Sequence, residues 1–125
     1  MFGFMKKNDN KIELTLVECK SYLSILNKLQ QILKAANLGG QALVIQSLMD
    51  LILRENIRQF VKLINSIDMW GGSGAVWEVY IENKAEARVF EKEMINLINL
   101  MEATNILGGG IKPIKKIFMD NMKSQ

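Results

Sequence analysis

The sequence predicts an all-α protein, a bundle of four or five helices interrupted once by a glycine- and tryptophan-rich turn and a short extended segment. Three observations carry that prediction. Apolar residues recur at alternating steps of three and four along most of the chain, which places them on one face of a helix. The stretches between these patterns are short, so neighbouring helices should run antiparallel and pack as a bundle. Only Met69-Trp70-Gly71-Gly72-Ser73-Gly74-Ala75-Val76-Trp77-Glu78-Val79-Tyr80-Ile81 departs from the helical period, and it holds both tryptophans and three of the nine glycines.

Asn8-Asp9-Asn10 supplies capping side chains, and Asn10 with Glu13 has the spacing of a capping box, so the first helix should begin near Lys11. Its buried stripe reads Ile12, Leu16, Cys19, Leu23, Leu26 and Leu33, broken at Gln30, with Lys20, Lys28 and Lys34 off it. Asn37-Leu38-Gly39-Gly40 should end it, because glycine takes the left-handed conformation that closes a last turn.

Gln41 to Asp68 contains neither glycine nor proline, yet the spacing predicts two helices joined at Arg54-Glu55-Asn56. Leu43, Val44, Leu48, Leu51 and Ile52 form one stripe; Ile57, Phe60, Val61, Ile64 and Ile67 form the other. Val44-Ile45 and Leu51-Ile52-Leu53 are apolar on more than one face, which predicts a place near the centre of the bundle.

From Ala75 to Ile81 the residues Trp77, Val79 and Ile81 share a parity. No second segment reads as β, and a lone strand leaves backbone groups unpaired, so the segment should be extended and mostly irregular. Asn83 with Glu86 is a second cap-like pair, opening a helix from Lys84 to about Leu107. Its buried face reads Ala87, Phe90, Met94, Leu97, Ile98 and Met101, with Arg88, Glu91, Lys92, Glu93 and Glu102 outside it. Gly108-Gly109-Gly110 should end it. Pro113 is tolerated in the first turn of a last helix that sets Ile114, Ile117, Phe118 and Met122 against Lys112, Lys115, Lys116 and Lys123.

The 125 residues fit a single domain, 1–125, with 1–10 and 120–125 expected to fray. A chain of this length buries roughly two thirds of its unfolded surface. With 49% hydrophobic and 23% charged residues and one proline, the composition excludes an intrinsically disordered chain. The net charge of +3 is too small to call for nucleic acid. One cysteine permits no intramolecular disulfide and points to a reducing compartment. No apolar run approaches the ~20 residues of a transmembrane helix. A cytoplasmic protein is therefore expected. The lysines of the last helix, and Phe2 and Phe4 beside Lys6 and Lys7, leave a weak membrane-surface contact open.

The absence of histidine removes Ser-His-Asp and Cys-His pairs, histidine metal sites and imidazole acid–base chemistry. Cys19 lies on an apolar stripe and should be an inert thiol. The carboxylates lie off the apolar faces, so no metal site and no cofactor are expected, and no catalytic residue stands out. Glu78 and Glu82 form the most conspicuous acidic pair. The glycine turn lacks the Gly-Lys-Ser/Thr ending of a phosphate loop. Two readings of it remain. Its glycines make a tight turn while the tryptophans plug the bundle, or Trp70, Gly71, Gly72, Ser73, Gly74, Trp77, Glu78 and Glu82 form a partner-binding surface.

Ile67-Asp68-Met69-Trp70-Gly71-Gly72-Ser73-Gly74-Ala75-Val76-Trp77 resembles a group of small bacterial helical proteins. In these a helix pair leads into an aromatic-Gly-Gly-x-Gly turn followed by a short extended stretch. The resemblance covers residues 41–100 in outline. Those proteins usually continue with Ser-hydrophobic-Asn-Asp, where this chain has Ala75-Val76-Trp77-Glu78, so one acid is left to correspond. Some proteins of this kind resemble immunity or accessory proteins of bacterial toxin systems. By analogy the resemblance implies a non-enzymatic protein-binding module; the acidic middle, Asp50, Glu55, Asp68, Glu78 and Glu82, should then oppose a basic partner protein. The alternative is a self-associating homodimer in which residues 76–81 pair with their counterpart. A third reading is a small nucleotide- or metal-binding protein working through the glycine turn and Glu78.

Overall fold

A computed structural model describes residues 12–123. In chain order the helices are α1 (Leu16–Ala35), α2 (Gly39–Leu53), α3 (Ile57–Ile64), the single turn α4 (Ile67–Trp70), α5 (Lys84–Ala103) and α6 (Lys112–Lys123), with a 3-10 turn at Val76–Glu78. No strand occurs among the described residues. The result is a packed helical bundle. α1 lies against both α2 and α5, and α6 packs on α5.

The first helix starts at Leu16, later than the sequence predicts. Thr15 and Glu18 form the capping box: the Glu18 amide donates to Thr15 Oγ1 at 3.0 Å and the Thr15 amide donates to Glu18 Oε1 at 2.8 Å. Asn10 and Lys11 lie outside the described residues, as does the fraying expected for residues 1–10. The buried face moves as well, to Tyr22, Leu26, Leu29, Gln30 and Leu33. Leu16 is 72% exposed, and Cys19 and Leu23 sit half-buried at the border of the stripe. Both sets follow helical spacing; packing against α2 and α5 decides between them, and Tyr22 also meets Phe60 of α3 edge-on, with ring centroids 5.1 Å apart.

Three helices end in the same way, without glycine. Asn37, Glu55 and Asn105 take left-handed φ angles of 62°, 60° and 63°. The following amides reach back five residues, Leu38 to the Leu33 carbonyl at 2.8 Å, Asn56 to Leu51 at 2.9 Å and Ile106 to Met101 at 2.9 Å. Each is a Schellman closure that satisfies carbonyls at the helix end. Gly39 and Gly40 therefore open α2, and α5 ends at Ala103, short of the glycine run expected to stop it.

The joint at Arg54-Glu55-Asn56 is present, and Asn56 caps α3 by accepting from the Gln59 amide at 3.3 Å. α2 buries Ala42, Ile45, Leu48, Met49 and Ile52 against α1, α3 and α4, while Leu43 and Leu53 face outward. α3 buries Phe60 and Ile64. Ile67, expected on the same stripe, is exposed because α3 ends at Ile64 and the chain turns before α4.

Asn83 caps α5, its Oδ1 accepting from the Glu86 amide at 2.9 Å. The predicted face is buried, but Glu93 is buried with it. Glu93 faces α1, where the Lys28 ammonium lies 3.8 Å away. α6 is helical through Lys123, and residues 124–125 lie outside the described residues. It buries Phe118 and leaves Ile117 and Met122 exposed.

Candidate functional site

The glycine- and tryptophan-rich stretch is built inward from α4. Trp70 closes that turn, and its indole N–H donates to the Ile64 carbonyl at 2.6 Å. Gly71 follows where the chain passes so close to α4 that a Cβ would lie 2.6 Å from the Ile67 carbonyl oxygen. Gly74, at φ 91°, reverses the chain, and its carbonyl accepts from Gln41 Nε2 of α2 at 2.9 Å. These two glycines have defined conformational tasks. Gly72 and Ser73 are exposed.

Beyond the turn, Val76 is fully buried and Trp77 half-buried. The Trp77 indole N–H is shared between the carbonyls of Gly71 at 2.9 Å and Trp70 at 3.1 Å. Its ring meets Phe118 of α6 edge-on at 6.3 Å. Both indole N–H groups thus donate to the protein's own backbone. The expected parity holds from Trp77 onward. Trp77, Val79 and Ile81 face inward, while Glu78, Tyr80 and Glu82 are exposed, Tyr80 to 81%.

Glu78 and Glu82 are both exposed, Glu78 in the 3-10 turn and Glu82 in the bend before α5. Among the described residues no cluster of three or more His, Cys, Asp or Glu side chains is placed to hold a metal ion. The acidic middle is also divided, because Asp50 accepts from Gln46 Nε2 at 2.9 Å and Glu55 borders a different cavity from Glu78.

Cavities open on the surface among the described residues. One, of about 390 Å3, lies between the segment Trp77–Ile81 and the faces of α5 and α6, floored by Ala87, Phe90 and Phe118. Another, of about 840 Å3, lies between the start of α1 and the α2–α3 joint, and includes Leu16, Cys19, Leu23, Leu53 and Ile57. Its rim mixes Glu13 and Glu55 with Lys20 and Arg58, a balance that favours neither sign of partner. Burial, followed by the nearby Glu18 and Glu55 carboxylates, pushes the Cys19 thiol up, so it is a poor nucleophile.

Tyr80 is the residue that sequence reasoning passed over. Its parity opposite Trp77, Val79 and Ile81 was the available signal, since inward neighbours on both sides turn it outward. The molecule is thus defined as an all-α bundle carrying a braced extended segment with a Glu-Tyr-Glu outer face. Comparison with family models, curated proteins and solved structures finds no match. Among the described residues, no helix is long and apolar enough to cross a membrane.

Proposed function

We propose that this protein is a non-enzymatic protein-binding module that engages a basic partner through the segment Val76–Glu82. The observation that carries the reading is the outward position of Glu78, Tyr80 and Glu82 on a segment whose other side is tied down by Trp77, Val79 and Ile81. Tyrosine is a strong contributor at interfaces, because its ring brings large contact area at low entropic cost. A braced backbone lowers the ordering cost of binding further. Carboxylates on either side add attraction for a basic surface and speed encounter. The sequence resemblance adds, by analogy, an immunity or accessory role in a bacterial toxin system, and the carboxylates of this segment make the partner a basic one.

The test is a pull-down from cell lysate with the wild type and with Tyr80→Ala, each checked by circular dichroism. The expected result is a specific partner lost in a folded variant. Retention of the same partner by Tyr80→Ala would remove this segment from the interface. Trp77→Ala is the weaker test, since Trp77 also braces the turn.

The homodimer alternative draws on the same segment, but its charges oppose the simplest pairing. Antiparallel association of two copies centred on Tyr80 sets Glu78 against Glu82 of the other copy twice, and like charges directly opposite are destabilising. Light scattering at high protein concentration separates the two readings, a monomer supporting the heterologous partner.

A further inference from the structure

We propose that the cleft along Val79–Glu82 accepts an extended, basic segment of the partner by strand addition. Main-chain hydrogen bonds would form along Val79–Glu82, and one apolar side chain would seat against Trp77, Phe90 and Phe118. This inference rests on the binding-module reading above and specifies the chemistry of the partner.

Five consecutive residues, Trp77 to Ile81, line the cleft. Trp77 and Glu78 belong to the 3-10 turn, which the chain leaves extended at Val79; successive side chains of an extended chain point to opposite sides, so a cleft touching Val79, Tyr80 and Ile81 follows the edge of the backbone. Among the described residues, the amides and carbonyls of Val79, Tyr80, Ile81 and Glu82 make no hydrogen bond to another protein group. An extended backbone with both kinds of group open is a template for a second strand, whose main chain supplies affinity while pockets select side chains.

The floor of the cleft is apolar. At about 390 Å3 it falls at the lower end of the ~300–1,000 Å3 range of ligand sites. It therefore suits a side chain or two rather than a packed helix. Glu78 lines it and no basic side chain does, while Glu82 follows at the end of the same segment. A strand carrying lysine or arginine beside its apolar residue meets these carboxylates with opposite charge, whereas a second copy of this segment brings acid against acid.

The test uses the whole chain and a short blocked peptide of alternating lysine and valine. Two relatives of the peptide serve as comparisons, one with glutamate for lysine and one with N-methylated backbone amides. Affinity is read by titration calorimetry, and location by amide shifts of Val79–Glu82. The basic peptide is expected to bind at those amides, about tenfold or more tighter than either comparison. In the double variant Glu78→Lys/Glu82→Lys the charge preference should invert.

Equal binding of the N-methylated peptide would overturn strand addition, and equal binding of the acidic one would overturn the basic partner. If no peptide binds while Tyr80→Ala still abolishes partner capture, strand addition falls and the binding-module reading stands. If partner capture is also indifferent to Tyr80→Ala, both fall.

Discussion

The indole N–H of Trp77 bridges the carbonyls of Gly71 and Trp70, at 2.9 and 3.1 Å, so one side chain fixes both ends of the glycine turn. The turn is folded around its own tryptophan. Trp77→Ala should therefore destabilise the protein by about 2–4 kcal/mol, combining lost aromatic burial with two carbonyls left without a donor. Tyr80→Ala, on the exposed side of the same segment, should stay within about 0.5 kcal/mol of wild type. Urea denaturation of the pair measures the contrast. A Trp77→Ala variant as stable as wild type would show that the turn is held elsewhere.

Tyr22 and Thr104 join α1 to the end of α5 through a 2.7 Å contact between hydroxyl oxygens. Thr104 Oγ1 already donates to the Leu100 carbonyl at 2.8 Å, so the Tyr22 hydroxyl is the donor. Burial pushes the Tyr22 hydroxyl from 10.0 up to about 12. The neutral phenol is thus the folded-state form. Its stabilising contribution is fully present below pH 10 and is lost as pH rises through about 12. The shift corresponds to roughly 2–3 kcal/mol. Unfolding followed across this window should show a steep alkaline loss of stability that is shallower in Tyr22→Phe.

Asn65 links α3 to the segment after α5. Its Nδ2 donates to the Val61 and Ile106 carbonyls, both at 2.9 Å, and its Oδ1 accepts from the Gly108 amide at 2.7 Å. Asn65→Ala should cost about 2–4 kcal/mol, since half-buried backbone groups lose their partners together. Gly108→Ala tests the same tie from the other side, because its Cβ would fall 2.6 Å from Asn65 Oδ1. Both variants should lower the thermal midpoint, and the double variant should cost less than the sum of the two.

Glu55 holds a left-handed φ of 60° at the α2–α3 joint. Left-handed backbone costs a non-glycine residue on the order of 1 kcal/mol, part of which glycine returns to chain entropy. Glu55→Gly should leave stability unchanged or raise it by up to about 1 kcal/mol, measured by denaturant midpoint. Appreciable destabilisation would mean that the Glu55 side chain itself supports the joint.

The Cys19 thiol, raised by burial and by the Glu18 and Glu55 carboxylates, should react with iodoacetamide more slowly than a free thiol at pH 8. Removing one carboxylate, in Glu18→Gln or Glu55→Gln, should speed the reaction. Labelling rates followed by mass spectrometry check both expectations.

The sequence by itself determined the fold class, the joint at Arg54-Glu55-Asn56, the Asn83 cap and the alternating sides of Trp77–Glu82. These follow from local periodicity and from side chains that bond to their own neighbouring backbone. It did not determine where the helices close. Glycines mark the stops expected for the first helix and for the helix opened by Asn83, yet Asn37 and Asn105 take the left-handed positions there, because closure depends on where packing exhausts each apolar face. Competing helical stripes on α1 are equally regular along the chain, and packing against α2 and α5 selects one. Glu93 reads as a solvated acid until α1 is placed against it. The tertiary structure likewise turned the tryptophans inward. A half-buried indole needs an acceptor for its N–H, and carbonyls near α4 and the glycine turn supply it, which leaves the outer face to Glu78, Tyr80 and Glu82.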